Sequence, residues 1–511
     1  MGKKINIFYR TLVIFLLLIN FCNAKELRVT VPDMPVFKGN PFTGLGSPTI
    51  YTWSALFDAL TWVDKEGSVK PSLATKWKNI DPNTWRFHLR SNVIFHNNEP
   101  FNSKAVLTTI NWLKSEPGKI TTTGKDIDAI IESAKIISPH IIEIRTYNPD
   151  AILPANISEM HIPAPNSWKE LGAEKFALSP SGTGPFKIIN WTENGVKMNV
   201  FSDSWRPSKN IKYLTIFEVP ERIGRVQALL SNQTDIAIGL AYDDIEIIED
   251  AGYKTMLEPA PLVSALQFVS IRPNEPFSDK RVRIAANLAV NRNLIAQTIL
   301  KNIAIPANQP AANHSYGFNP QIKNYPFDPH RAKILLDEAG YPNGFKGRME
   351  VAIEATVPAA LETQIQVASD LRKIGIKLDV IPIQFASWLR KWYGGPLSKS
   401  VDFPEMFSLN IVLGPQLDVG RIFRTHSCEK KINGNFGFYC DPEIMPLIRA
   451  SRIEFNAQKR KKILHKIMEN YNSNPSAIYL FTLKDVTGLN SKIYGLTNTN
   501  RNYSYEKVFI K

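Results

Sequence analysis

The N-terminal segment constrains the rest of the chain more than any other feature. Three basic residues precede an apolar run from residue 11 to about residue 22, and small residues follow it up to Ala24. This order predicts a signal peptide cleaved after Ala24, because the run is shorter than the roughly 20 apolar residues that span a bilayer. A lipidated Cys22 is the alternative, although bulky Phe21 precedes it. The mature chain is therefore expected in the periplasm.

Export makes the cysteines informative. The sequence has three, and Cys22 would leave with the signal peptide, so Cys428 and Cys440 remain, twelve positions apart. In an oxidising compartment this predicts a disulfide, which would stabilise the fold by about 3 kcal/mol in the chain-entropy model. A metal site is the alternative, but two cysteines with only His426 nearby do not complete a zinc set.

The size and net charge of the chain exclude few functional classes. The 511 residues are enough for two or three domains. The net charge of +14 falls to +11 when the three bases of the signal peptide are removed, since that segment has no acids. Because the basic residues are interspersed with acidic ones, we interpret them as a solvated surface and expect no nucleic-acid partner. Eight singly spread histidines predict no metal site, and no cofactor is expected.

Apolar spacing predicts a mixed α/β chain without internal repeats. The predicted strands are residues 26–31, 85–89, 93–95, 142–146, 187–190 and 377–383, with 85–89 and 93–95 forming a hairpin. The predicted helices are residues 51–61, 103–114, 222–231, 279–300 with a break near 291, 328–339 and 357–374. Asn102 is the predicted N-cap of the second helix.

Six segments, in the same order along the chain, resemble the substrate-binding proteins of peptide and nickel ABC importers, solute-binding protein family 5. The strongest match begins with Trp53 and Ala55-Leu56-Phe57-Asp58-Ala59-Leu60-Thr61 and continues through residues 69–74, 85–90 and 93–101. The others are Ser181-Gly182-Thr183-Gly184-Pro185-Phe186 with Trp191, then residues 225–236, 276–283, 327–342 and 439–443. The last of these looks like the segment that closes a disulfide in this family.

The resemblance implies a class II, Venus-flytrap periplasmic-binding-protein fold with two lobes and an extra inserted domain. Domain I would be discontinuous, comprising residues 25–65, 185–270 and 488–511. Residues 66–184 would form the small domain II, and residues 271–487 domain III, the second lobe. The chain would cross between the lobes near Ser270 and Asp485. Glycines 182 and 184 indicate a tight passage of the chain.

The implied function is capture of a peptide or similar small polar solute between the lobes, followed by delivery to the permease subunits of an ABC importer. Such a protein is expected to be a monomer and not an enzyme. The alternatives are a non-peptide ligand, namely a nickel chelate, an opine-like conjugate or heme, and a secreted hydrolase. The hydrolase is disfavoured because no G-x-S-x-G motif occurs.

Ligand residues follow from the resemblance only in part. Peptide-binding members hold the ligand's α-amino group with an aspartate on the third domain. The nearest segment here contains Asn410, Gly414 and Asp418, but it lacks the expected acidic residue before a proline, and Asp418 could instead be a helix N-cap. The aromatic candidates for the pocket wall, each with core packing as the alternative, are Tyr51, Trp53, Trp388, Trp392 and Tyr393.

Overall fold

The structure is a computed structural model that describes residues 25–44, 47–353, 357–398, 401–414, 416–429 and 437–511. The predicted signal peptide lies outside the described residues. The strands are β1 Glu26–Val31, β2 Thr61–Val63, β3 Val69–Pro71, β4 Ala74–Asp81, β5 Thr84–Leu89, β6 Ile131–Ser138, β7 Ile141–Thr146, β8 Phe186–Thr192, β9 Gly195–Val200, β10 Tyr213–Glu218, β11 Ile236–Leu240, β12 Lys254–Phe268, β13 Ile305–Pro306, β14 Phe345–Ile353, β15 Ile376–Gln384, β16 Met406–Ser408, β17 Ile411–Val412, β18 Ala477–Leu489, β19 Ile493–Tyr494, β20 Asn498–Thr499, β21 Asn502–Tyr503 and β22 Phe509–Ile510.

The helices lie mostly on the faces of the sheets. They are α1 Ser47–Leu56, α2 Ser103–Leu113, α3 Glu116–Lys119, α4 Thr122–Ile130, α5 Leu153–Asn156, α6 Pro165–Leu178, α7 Arg222–Leu230, α8 Asp244–Asp250, α9 Lys280–Ala289, α10 Arg292–Thr298, α11 Pro329–Glu338, α12 Ala360–Arg372, α13 Phe385–Gly394, α14 Met445–Ile453 and α15 Ala457–Ser473. Short 3-10 helices cover Ile157–Glu159, Pro276–Ser278, Val419–Arg424, Pro442–Ile444 and Tyr505–Lys507.

One sheet runs through both lobes, in the order β15-β14-β16-β12-β18-β11-β1-β10-β9-β8. On one side β1 is parallel to β10 and β11, which belong to the first lobe. On the other side β14 is parallel to β15 and β16, which belong to the second lobe. The long antiparallel strands β12 and β18 join the two halves. The predicted bilobal α/β fold is therefore confirmed.

The strand pairing becomes irregular where β12 and β18 pass between the lobes. Pro259 lies opposite Lys484 and Val263 lies opposite Thr482, so β12 advances four positions while β18 advances two. Pro261 falls inside this bulge, where the absence of a backbone N–H donor does not break a ladder bond. The sequence thus places a bend in the segment that connects the lobes.

The first lobe also carries a four-stranded antiparallel sheet in the order β4-β5-β7-β6. The predicted hairpin of residues 85–89 with 93–95 is wrong, because both edges of β5 are already occupied by β4 and β7. Residues 93–95 instead lead into a tight turn closed by a hydrogen bond from the Phe95 N–H to the Glu99 carbonyl. Asn98 in this turn has a positive φ of 67°, which asparagine tolerates better than most residues.

Helix ends show where tertiary contacts override local spacing. The predicted N-cap of α2 is confirmed, since the Asn102 side chain accepts a hydrogen bond from the Lys104 N–H. Helix α1, however, ends at Leu56 rather than near residue 61. The Gly184 N–H donates to the Leu56 carbonyl, and a Cβ on Gly182 would lie 2.0 Å from that oxygen. This is the tight passage that the two glycines indicated.

One further contact joins the two lobes, and another lies within the second lobe. An apolar cluster combines Val63 and Ala155 of the first lobe with Leu417 and Ile422 of the second, so the lobes touch each other. Farther along the second lobe, a disulfide joins Cys428 to Cys440, with the two Cα atoms 4.3 Å apart.

Candidate functional site

A pocket lies between the lobes at the carboxyl end of β11. In open sheets with parallel strands, ligands bind outside the carboxyl ends of the strands. In this arrangement of the lobes the space between its walls is narrow, about the size of one water molecule. Its lining residues are Tyr51, Ile238, Gly239, Leu240, Arg501 and Tyr503 of the first lobe, Asp485 and Val486 of the connecting strand β18, and Pro358 of the second lobe.

Gly239 shapes the floor of the pocket. It has a φ of +75° and lies where the register between β11 and β18 shifts, so it is the bulged residue of this pair. A Cβ at this position would lie 2.8 Å from the Cγ of Pro32. The Gly239 carbonyl accepts a 2.7 Å hydrogen bond from Arg225, which is fully buried and also binds the Val219 carbonyl. Arg225 thus fixes the carboxyl ends of β10 and β11 together.

Asp485 and Arg501 form an ion pair in the pocket wall. Arg501 Nε donates to Asp485 Oδ2 at 2.8 Å, and Nη2 donates to Oδ1 at 2.7 Å. Their side chains are only 15% and 11% exposed, respectively. Burial by itself would lower the pKa of Arg501, but the Asp485 carboxylate outweighs it and raises that pKa above its ordinary value. The Arg501 guanidinium is therefore charged at neutral pH.

Two tyrosine rings flank the pair. Tyr51 and Tyr503 meet edge to face with their centroids 5.8 Å apart. The Tyr503 hydroxyl lies 2.7 Å from the hydroxyl oxygen of Thr487, and the Tyr505 hydroxyl donates to the Tyr51 carbonyl at 3.0 Å. Burial raises the pKa of Tyr503 well above its usual value, so its phenol is uncharged at neutral pH. The wall therefore combines one fixed ion pair with aromatic surface.

Among the aromatic candidates, Tyr51 is the one that the structure places in this pocket. Trp53 is 5% exposed, and its Nε1 donates to the Lys38 carbonyl in the core of the first lobe. Trp388 stacks on Phe407 and donates to the Ser408 carbonyl, and Trp392 stacks on Trp388. The side chain of Tyr393 lies outside the described residues. Their roles in ligand binding stay predictions.

The predicted amine-anchor segment, residues 410–418, lies beside the part of β12 that connects the lobes. Asn410 is partly buried beside β17. The Gly414 N–H donates to the Pro261 carbonyl at 3.2 Å, and Pro415 lies outside the described residues. Asp418 caps a 3-10 helix by accepting from the Gly420 N–H, which is the alternative that the sequence left open.

Asp418 also forms a buried ion pair. Its carboxylate accepts 2.5 and 2.8 Å hydrogen bonds from the two terminal nitrogens of Arg460, and the two side chains are 7% and 5% exposed. A ligand ammonium would have to share a carboxylate that is already neutralised. The role of Asp418 in ligand binding stays a prediction that this geometry disfavours.

Sequence reasoning missed most of the pocket wall. One sequence feature could have pointed to Asp485: Lys484 and Asp485 are charged residues in the otherwise largely apolar strand β18. Arg501 and Tyr503 lie in a short hairpin near the C-terminus, and no sequence feature pointed to them. No group of three or more His, Cys, Asp or Glu side chains is placed to hold a metal ion in the part of the chain that the structure describes. Within the same ranges, no helix is long and apolar enough to cross a membrane.

Comparison with known proteins identifies the family. The model of bacterial extracellular solute-binding proteins, family 5 middle, matches residues 68–401. Heme-binding protein A of Haemophilus influenzae is 25% identical over 365 residues, which cover 66% of this chain and 66% of the relative. Di/tripeptide-binding protein 2 of Pseudomonas aeruginosa is 26% identical over 377 residues, which cover 68% of this chain and 70% of the relative.

A solved structure with this fold is that of NikZ from Campylobacter jejuni in complex with Ni(L-His). Its TM-score is 0.79 at 21% identity, over 95% of this chain and 99% of that one. The family match extends over well more than half of the sequence, and the fold agrees along nearly all of it. The chain therefore belongs to family 5 of the bacterial extracellular solute-binding proteins.

Proposed function

We propose that this chain is the extracytoplasmic solute-binding component of an ABC importer, and that it captures a peptide or similar small polar solute between its lobes. The observation that carries the proposal is the pocket between the lobes, which is lined by the Asp485–Arg501 ion pair and by Pro358 of the second lobe. A ligand that contacts both sides stabilises the closed arrangement by its differential affinity for it. The proposed role is binding and delivery to a permease, without catalysis.

The proposal includes the domain division given by the resemblance. Residues 25–65, 185–270 and 488–511 with the inserted residues 66–184 would move as one body, and residues 271–487 as the other. The hinge itself would be the bulge of β12 between Pro259 and Val263 with residues 482–484 of β18, a few residues before the two boundaries at 270 and 487. The strands that continue on either side of this bulge pair with different halves of the sheet.

Export to the periplasm is also part of the proposal. The signal-like N-terminus and the Cys428–Cys440 disulfide both support it. Mass spectrometry of the protein recovered from a periplasmic fraction should show a mature chain that starts at Lys25. Recovery of the full-length chain in the cytoplasm alone would contradict this part of the proposal.

The ligand class follows from the pocket wall rather than from the relatives, whose names state different ligands. The wall offers a guanidinium, a carboxylate and two phenol rings. Aromatic rings provide contact area at low entropic cost, and a few fixed polar groups orient the ligand. A short peptide or another polar metabolite of similar size suits this combination.

The test is a thermal-shift screen of the mature protein with di- and tripeptides, Ni(L-His), an opine and heme. A solute at a hundredfold excess over its Kd stabilises the folded state by about 2.7 kcal/mol, which raises the Tm measurably. Tyr51→Ala should reduce the shift, whereas Tyr494→Ala, on the surface of the same lobe, should leave it unchanged. If no compound shifts the Tm and no small molecule co-purifies with the protein by mass spectrometry, the proposal fails.

A further inference from the structure

We propose that the closed arrangement of the lobes is stabilised by a protein–protein contact outside the pocket, so that this arrangement is populated without a solute. The closure contact joins Trp85, Ala151 and Ile152 of the first lobe to Arg452 and Phe455 of the second. The inference rests on the movement of the lobes that the proposed function includes, but it does not depend on which solute is captured.

The centre of the closure contact is a hydrogen bond between the main chains of the two lobes. The Ala151 N–H donates to the Arg452 carbonyl at 2.9 Å. Each end is held by its own lobe: the Asp150 carboxylate accepts from the Ile152 N–H at 2.9 Å, and Arg452 donates two hydrogen bonds to the Glu429 carboxylate. Because donor and acceptor are already positioned, little conformational entropy is lost when the lobes meet.

An aromatic pair lies beside this hydrogen bond. The rings of Trp85 and Phe455 have their centroids 6.0 Å apart. Trp85 is 9% exposed, and its Nε1 donates to the Asp150 carbonyl at 2.9 Å, so it is fixed in the first lobe. Phe455 is 37% exposed and lies in the connection between α14 and α15. Its ring therefore packs across the boundary between the lobes.

Apolar and main-chain contacts extend the interface on the other side. Ile152 packs against the apolar cluster that contains Leu417 and Ile422 of the second lobe. A Cβ on Gly420 would lie 3.9 Å from the Cδ1 of Ile152, which is van der Waals distance. In the turn between β2 and β3, a Cβ on Gly67 would lie 3.1 Å from the Leu417 carbonyl oxygen. The main chains of the two lobes thus approach each other closely here.

The closure contact is separate from the pocket and from the hinge. Its residues do not line the pocket, so it can form without a solute. It joins elements on opposite sides of the bulge between Pro259 and Val263, so it breaks when the lobes separate. An interaction that exists in only one of two states shifts the equilibrium towards that state. A solute that requires closed lobes then binds more tightly, in proportion to the fraction that is already closed.

The experiment measures the closed fraction of the mature protein without solute. Unfolding with the disulfide intact, followed by refolding, removes any co-purified small molecule. Spin labels on cysteines introduced at the exposed positions Lys104 of the first lobe and Lys333 of the second report the distance between the lobes by pulsed EPR. The wild type should give a main population at the closed distance. Phe455→Ala should lower the ratio of closed to open molecules about 2- to 10-fold, the range expected for one aromatic contact.

A second variant and a matched control make the result specific. Ile152→Ala should shift the distances in the same direction, and the double variant should shift them further than either change alone. Phe509→Ala is the control, because Phe509 is 36% exposed and stacks on Tyr494 with the centroids 5.6 Å apart, both within the first lobe. It removes a ring of the same size and should leave the distance distribution unchanged. Circular dichroism establishes that each variant is folded.

The outcomes separate the inference from the proposed function. If the solute-free wild type is entirely open, or if folded Phe455→Ala and Ile152→Ala give the wild-type distances, the inference is overturned. An equal shift in Phe509→Ala would likewise overturn it, since the effect would not be specific to the closure contact. These measurements contain no solute, so such results leave solute capture standing. Failure of the thermal-shift screen, in turn, would leave the closure contact standing.

Discussion

Replacing Asp58 should be among the most destabilising single changes in the first lobe. Asp58 follows the end of α1 and is 7% exposed. Its carboxylate accepts hydrogen bonds from Thr183 Oγ1 at 2.7 Å, Trp205 Nε1 at 3.0 Å and Arg206 Nε at 2.8 Å. One buried carboxylate therefore connects α1, the glycine-containing passage and the segment that follows β9.

The magnitude follows from what Asp58→Ala leaves behind. Arg206 would keep the 3.2 Å contact with Glu506 and its hydrogen bond to the Ser54 carbonyl, but it would lose its partner at Nε, and two neutral donors would lose their acceptor in the interior. Removing one partner of a buried ion pair costs about 3–5 kcal/mol. Urea denaturation at pH 7 should show this loss as a lower transition midpoint with an unchanged slope. The control Glu143→Gln, which breaks the more exposed pair with Arg86, should cost at most about 1 kcal/mol.

The pH dependence has a defined sign. Burial by itself would raise the pKa of Asp58, but the charge of Arg206 and the three hydrogen bonds lower it below its ordinary value. The folded-state pKa is thus below the unfolded one of about 3.9, so this stabilisation is complete above that pH and is lost as the pH falls through the folded value. Asp58→Asn should flatten the acid limb of the stability profile. A cost below 1 kcal/mol for Asp58→Ala, or an unchanged acid limb for Asp58→Asn, would refute the reasoning.

Three further predictions follow from other sites. Cys428→Ser/Cys440→Ser should lower the free energy of unfolding by about 3 kcal/mol by urea denaturation, and reduction of the wild type should reproduce the loss. Gly239→Ala should cost about 1–3 kcal/mol because of the positive φ and the close approach to the neighbouring strand end, and it should weaken the ligand-induced thermal shift; an equal shift would contradict the placement of the site. Arg460→Met should cost about 3–5 kcal/mol, and Asp418→Asn in the same chain should recover much of it, since the buried carboxylate is then neutral; failure to recover would show that the pair has another role.

The sequence predicted what is determined locally or by the family. The cap at Asn102, the strands β1 and β7 and the two-lobed α/β fold required only short-range patterns or the ordered segments. The early end of α1 could not be read in this way, because its cause is the contact of Leu56 with Gly184, which lies more than 120 positions away. Residues 93–95 have the alternating pattern of a strand, but they do not pair with β5, because both edges of β5 are occupied.

The pocket was harder to predict for the same physical reason. Tyr51 was predicted as one of several aromatic candidates for the pocket wall, whereas the place of Arg501 in that wall depends on its ion pair with Asp485, which lies on a different strand. Trp53 and Trp388 stay predictions: both side chains are buried, and large aromatic residues also build the interior. A single sequence does not distinguish a ring that faces a ligand from one that faces the core.

The irregular crossing of β12 and β18 has a mechanical consequence for Asp485. This residue directly follows Lys484, the partner of Pro259 at the bulge, and so lies close to the pivot. Points near a pivot move little when the parts on either side swing widely. The ion pair should therefore stay nearly in place during lobe closure and could bind the solute first. Pro358 in the second lobe should move further and close over the bound solute. Docking and enclosure would then be two successive events, governed by different residues.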